Sequence, residues 1–198
     1  MDMLTRLAEA LRCLPGIGPK SAQRMIYHLL KHQRQRGLHL AACLEEALSQ
    51  IQHCQRCRNY TEHELCIYCR NSQRDTATLC VVESPADILA IEQSHSYQGT
   101  YFVLMGKISP LDGLGPEDIG LSQLKELIIK EQTKEVILAL SPSIEGHTTI
   151  HFIQQLLQEM PVHITKLAYG IPSGSELEFL DGNTIGNALR NRAVIHVE

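Results

Sequence analysis

Four cysteines in one short segment carry the strongest chemical signal in this chain. Cys54, Cys57, Cys66 and Cys69 fall in the pattern C-x2-C-x8-C-x2-C. Each C-x2-C pair rides a turn, and two such turns place four thiolates at the corners of a tetrahedron about one Zn²⁺. A structural zinc has every position filled by protein, whereas a catalytic one keeps a position open for water. The spacing therefore predicts one structural Zn²⁺ per chain, held in a compact knuckle. His53 and His63 stand near enough to substitute as ligands, but four cysteines leave them no necessary role. Four free thiols would be poorly placed in a segment so poor in apolar residues. Cys13, Cys43 and Cys80 lie in apolar stretches and are expected in the core.

The second signal is Leu14-Pro-Gly-Ile-Gly-Pro-Lys-Ser-Ala-Gln-Arg24 between two helical stretches. Gly16 and Gly18 allow a tight backbone turn, so amide groups and the following helix N-terminus can meet a phosphate. Lys20 and Arg24 are four residues apart and share one helix face. The pattern is that of a helix-hairpin-helix. It predicts salt-sensitive, sequence-independent DNA binding, since nothing in it reads base edges. A plain interhelical turn of Gly and Pro is the alternative, and the Lys/Arg pair weighs against it.

Glu83 is the third signal. It ends an apolar strand, and in an open parallel sheet the functional edge lies beyond the strand C-termini. A strand ending in Glu, in a domain of this rhythm, resembles the Toprim domain of topoisomerases and primases. In that family the Glu joins an Asp-x-Asp pair to handle Mg²⁺. Here Ser141 and Ser143 stand where the two acids would be, and two serines supply no charge to hold the ion. Glu145 keeps some acidity nearby, with Asp112, Glu117 and Asp118 on a loop. No tyrosine sits in a context marking a topoisomerase nucleophile, and Gly113-x-Gly115 is too short to indicate a nucleotide site. The reading is of a protein that is not an enzyme, with a Mg²⁺-dependent Toprim nuclease or primase-like enzyme as the alternative.

The elements that must position these residues follow from hydrophobic spacing. Leu4, Leu7, Ala8 and Leu11 predict a first helix, broken at Pro15-Gly16. A second runs from Pro19 to Gly37 and a third carries Leu40, Leu44, Ala47, Leu48 and Ile51. After the cysteine segment, apolar runs at 79–82, 101–104, 136–140 and 162–166 predict strands. Helices are expected after Ser84-Pro85, over 121–129 and over 145–159, and a Gly/Pro-rich loop spans 106–120. Strands alternating with helices predict a parallel sheet covered on both faces. The tail from 167 is loop-rich, with a short helix near 184–190.

The fold class is thus α/β. A small helical helix-hairpin-helix domain spans 1–53, a four-cysteine zinc knuckle 54–74, a Toprim-like parallel-sheet domain 78–172 and a C-terminal extension 173–198. The 198 residues are 43% hydrophobic and 20% charged, enough apolar content to exclude whole-chain disorder. No run approaches the roughly 18 apolar residues of a membrane span, and the N-terminus lacks the pattern of a signal peptide. A soluble cytoplasmic protein is expected, where paired cysteines favour metal over disulfides. Residues 1–74 hold 11 Lys and Arg against 6 acids, a formal +5, and residues 75–198 hold 7 against 16, a formal −9. A basic front joined to an acidic back suggests an anion-binding module beside a part that meets cations or basic partners.

Taken in order, LPGIGPKSAQR, the four cysteines, LCVVESPADILAIE, YFVLMGKISPLDGLGPEDIGL, SIEGHTT and AYGIPSGSELEFLDGNTIGNAL span essentially the whole chain. Together they resemble the RecR family of bacterial recombination mediators. The resemblance implies a DNA-repair protein without catalytic activity, forming a dimer or tetramer ring that holds DNA. It implies work with RecO and RecF at single-stranded/double-stranded junctions and gaps, displacing single-stranded DNA-binding protein and loading RecA. It implies a cytoplasmic, nucleoid-associated location. Carried onto this chain, Gly16, Gly18, Lys20 and Arg24 would be DNA contacts. Cys54, Cys57, Cys66 and Cys69 would be zinc ligands, and Glu83 and Glu145 partner or subunit contacts.

Overall fold

A computed structural model describes residues 1–168 and 170–192. Tyr169 and residues 193–198, the end of the C-terminal extension, lie outside the described residues. The chain forms two compact units, residues 1–51 and 52–198.

The first unit is three helices: α1 (Met3–Leu11), α2 (Pro19–His32) and α3 (Arg34–Gln50). Asp2 caps α1, its side chain accepting from the Thr5 amide at 2.7 Å. Pro19 opens α2 at a position where a missing N–H costs nothing. The second helix stops at Gln33 (φ −138°, ψ 34°), four residues before the expected break at Gly37. Gly37 instead lies within α3, where a Cβ would stand in ordinary van der Waals contact with the Leu29 side chain at 3.6 Å, so neither chain termination nor packing requires a glycine there. Only Ala22 and Ile26 are fully buried in the three helices. So few buried residues cannot enclose the cysteines expected there, and both Cys13 and Cys43 are exposed.

The second unit opens with a two-residue antiparallel pair, β1 (Gln52–His53) and β2 (Tyr60–Thr61), and a single turn α4 (Ile67–Arg70). Then come β3 (Asp75–Val82), α5 (Pro85–Gln93), β4 (Gly99–Val103), α6 (Leu121–Glu131), β5 (Glu135–Ala139), α7 (Ile144–Leu157) and β6 (His163–Lys166). A 3₁₀ turn (Leu177–Phe179) and α8 (Gly182–Arg190) follow. The four strands β4-β3-β5-β6 pair in parallel. Leu79, Val81, Phe102, Val136 and Leu138 point to one face and meet Leu124 and Ile128 of α6 and Ile150, Ile153 and Leu157 of α7. Cys80, Val82, Tyr101 and Val103 point to the other and meet Ile88 of α5. One helix does not span four strands. That face is covered over β3 and β4, while Ile137 and Ala139 stay half-buried, so the expectation of two fully covered faces holds on one side only.

Strand order reverses between β3 and β5. Val82 lies level with Val103 on one side and Ala139 on the other. The residues leaving these ends, Glu83 and Leu140-Ser141, flank the switch point where open α/β sheets carry their ligands.

Candidate metal centre and nucleic-acid interface

The sulfurs of Cys54, Cys57, Cys66 and Cys69 lie within 4.8 Å of one another. Tetrahedral Zn–S bonds of 2.3 Å would set them about 3.8 Å apart, and Cys57 Sγ and Cys66 Sγ stand at 3.5 Å. The first three cysteines are buried and Cys69 is half-buried. An amide already points at the cluster, Cys66 N–H donating to Cys54 Sγ at 3.3 Å. Hydrogen bonding among the four thiols pulls Cys54 down and, with burial, pushes Cys57 up. This donor set fits a metal ion: it is all soft, largely buried, and supplies one sulfur per tetrahedral position.

The knuckle is anchored to the sheet beside it. Val103 N–H, on the outer edge of the buried strand β4, donates to the Cys57 carbonyl at 2.9 Å, which satisfies that amide at the strand end. Arg58 follows in a left-handed conformation (φ 63°) and reaches the long loop. Its guanidinium donates to the carbonyls of Leu104 (3.3 Å), Asp118 (3.3 Å) and Ile119. Gly120 makes room, for a Cβ there would collide with Arg58 Nη1. Farther along, Arg74 donates to Glu92 at 2.6 Å and to the Gly99 carbonyl at 2.8 Å, against the rings of Tyr68 and Tyr101. Arg58 carried no signal in the sequence beyond its place next to a ligand cysteine.

In the first unit, Gly16 takes φ +78° and turns the chain between α1 and α2. Gly18 is the N-cap of α2 and offers no side chain to its free amides. Open space surrounds both glycines, with nothing within 4 Å of a Cβ built at either. No acid occupies the first turn of α2, and Lys20 and Arg24 are exposed. The hairpin thus leaves amides and two cations facing solvent at one helix start, an arrangement suited to a phosphate backbone.

At the sheet edge the structure brings Glu83, Ser141 and Ser143 together. Glu83 Oε1 accepts from Ser141 N–H at 2.6 Å, and the two serine hydroxyls lie 3.3 Å apart. Ser143 also caps α7 by accepting from Gly146 N–H at 3.1 Å. Glu145 lies in the first turn of α7. Backbone and Ser143 hydrogen bonds, then the charge of Lys107, hold its carboxyl below the usual range. All three loop acids accept local hydrogen bonds, Asp112 from Ser109 Oγ at 2.7 Å, Asp118 from Gly115 N–H and Glu117 from Ser122 Oγ, and Asp112 also opposes the ionisation of Glu145. Lys107, absent from the sequence candidates, sits inside the group. The signal for it was position, four residues after the end of β4 at the functional edge.

Residues 4–48 match the RecR helix-hairpin-helix family, 77–168 the Toprim domain and 170–193 the RecR C-terminal family. The chain is 73% identical over 197 residues to the recombination protein RecR of Legionella pneumophila strains Corby and Paris, covering 100% of both chains. The chain belongs to the RecR family. The RecR protein of Legionella pneumophila strain Philadelphia 1 is 72% identical, with 99% of its length covered. Among the described residues, no helix is long and apolar enough to cross a membrane.

Proposed function

We propose that this RecR-family chain is a non-enzymatic DNA-binding recombination mediator in bacterial DNA repair. It acts in the cytoplasm at the nucleoid, as a homo-oligomeric clamp, a dimer or tetramer ring. With RecO and RecF it loads RecA onto gaps coated with single-stranded DNA-binding protein. The observation that carries this reading is the pairing of Lys20 and Arg24, exposed together on α2 beside the uncapped turn at Gly16 and Gly18. Such a grip reads phosphate without sequence. One copy is weak, but copies repeated around a ring act at high effective concentration, which lets a net-acidic protein hold DNA. One structural Zn²⁺ per chain, on Cys54, Cys57, Cys66 and Cys69, keeps the knuckle folded.

Glu83 and Glu145 serve as contacts to a partner or a second subunit, as the acidic half suits a basic partner and repels DNA from the wrong face. The Mg²⁺-dependent nuclease or primase alternative loses support from the two serines at the sheet edge.

The test is a DNA-binding titration of wild type and Lys20→Ala/Arg24→Ala across a salt series, without and then with RecO. Each lost phosphate contact should lower the salt slope by roughly one. A double variant that matches wild type under both conditions would remove the hairpin as the DNA grip. Nicking of plasmid that depends on Mg²⁺ would revive the enzyme.

A further inference from the structure

Lys107 is held at the sheet edge by its own backbone. On one side Gly106 N–H donates to the Glu83 carbonyl at 3.1 Å, and on the other Ile108 N–H donates to Thr149 Oγ1 at 3.0 Å, a buried contact. Between these ties the side chain turns into the group of oxygens. Its Nζ lies 3.2 Å from Ser141 Oγ, 3.3 Å from Ser143 Oγ and 3.7 Å from Glu83 Oε2. An ammonium donates and cannot accept, and here it meets two hydroxyl oxygens at hydrogen-bond distance and a carboxylate oxygen at ion-pair distance. Both carboxylate oxygens of Glu83 are then engaged, Oε1 by the Ser141 amide and Oε2 by Lys107.

We propose that Lys107 is the resident cation of this sheet edge, its ammonium filling the position that a divalent metal ion would need. The charge supports this. Glu83 supplies the one carboxylate that pairs with the ammonium, and the two serines add no charge, whereas Mg²⁺ is held through carboxylates and asks for octahedral oxygen at about 2.1 Å. A divalent ion brought to these oxygens would displace the ammonium or share its site against like charge. Glu145 and Asp112 are the remaining acids facing the group. With the Lys107 ammonium among these oxygens the edge has a cation of its own, so contacts made through it should be indifferent to Mg²⁺. The ion occupancy of the edge does not rest on the mediator reading, although the contacts proposed for Glu83 and Glu145 would be made at the same place.

The test is Mn²⁺ binding, followed by loss of the free-ion electron paramagnetic resonance signal on the zinc-loaded full-length chain. Two acids are first restored by Ser141→Asp/Ser143→Asp, and Lys107 is then varied on that background. Lys107→Met should take up one Mn²⁺ at least about tenfold more tightly than the chain that keeps Lys107. Lys107→Arg, which retains the charge, should return binding to the weak level. Equal affinity with and without Lys107 overturns the proposal, as does tight Mn²⁺ uptake by the wild type at this edge. Should the double-acid chain not fold, Lys107→Met alone decides: it must bind Mn²⁺ more tightly than wild type and Lys107→Arg.

Discussion

At the scale of single residues, this protein's sites depend on close approaches that only small side chains permit. Gly120 combines φ +76° with the Arg58 guanidinium, and Gly146 faces the Ser141 carbonyl at the start of α7. A methyl group at either must move backbone or a half-buried cation. Gly120→Ala and Gly146→Ala should each cost roughly 1–3 kcal/mol, read as a lowered urea midpoint with the slope unchanged. Cys80 illustrates the opposite case, a residue whose surroundings silence it. Burial pushes its thiol up to about 12, so at pH 8 it stays protonated and unreactive. Alkylation of the zinc-loaded protein at that pH should spare Cys80 until denaturant is added, with mass spectrometry reading the modified sites. Labelling of Cys80 as fast as of the exposed Cys13 would contradict the packing of β3.

Among elements, the joint between knuckle and sheet matters most. The Cys57 carbonyl caps the outer edge of β4, and Arg58 ties the knuckle to both ends of the long loop that carries Lys107. Arg58→Ala leaves three carbonyls without that donor, a loss of about 1–3 kcal/mol. Hydrogen exchange should then quicken over residues 106–120 while the metal is retained. Stripping the metal with a chelator should quicken the same amides, because Cys57 and Arg58 move together. Acid should do likewise: thiolates must take up protons to let the ion go, so metal is held at neutral pH and lost as pH falls. Unchanged exchange in the loop after metal loss would mean that the loop stands without the knuckle. The α2–α3 corner shows where reading by residue type reaches its limit. Gly37 in sequence looks like a helix terminator, but the break fell at Gln33, and the glycine continues α3 instead.

For the whole molecule, the first unit is short of interior. Leu38, Leu40, Leu44 and Leu48 on α3 are exposed, Leu48 at 83%, together with Leu4 and Leu7 on α1. On the homo-oligomeric reading proposed above, this exposed apolar surface is where another copy would pack. Leu44→Glu/Leu48→Glu should lower the mass measured by light scattering while helix content is kept, and an unchanged mass would clear α3 of that role. The sequence by itself determined much of this protein. Periodicity placed the helices and the parallel strands, because burial on one stripe or face leaves a mark in the local spacing of apolar residues. It also supplied the four cysteines, whose spacing and chemistry are local, and the hairpin, whose glycines and cations lie within eleven residues. Only the tertiary structure decided that the knuckle docks on the edge of the Toprim sheet, that Cys13 and Cys43 lie outside any core, and that Lys107 turns in among Glu83, Ser141 and Ser143. The decisive contacts join residues far apart in the chain, 34 positions between Lys107 and Ser141 and 58 between Glu83 and Ser141. Such meetings are fixed by strand order and crossover, which leave no trace in the neighbourhood of any one residue.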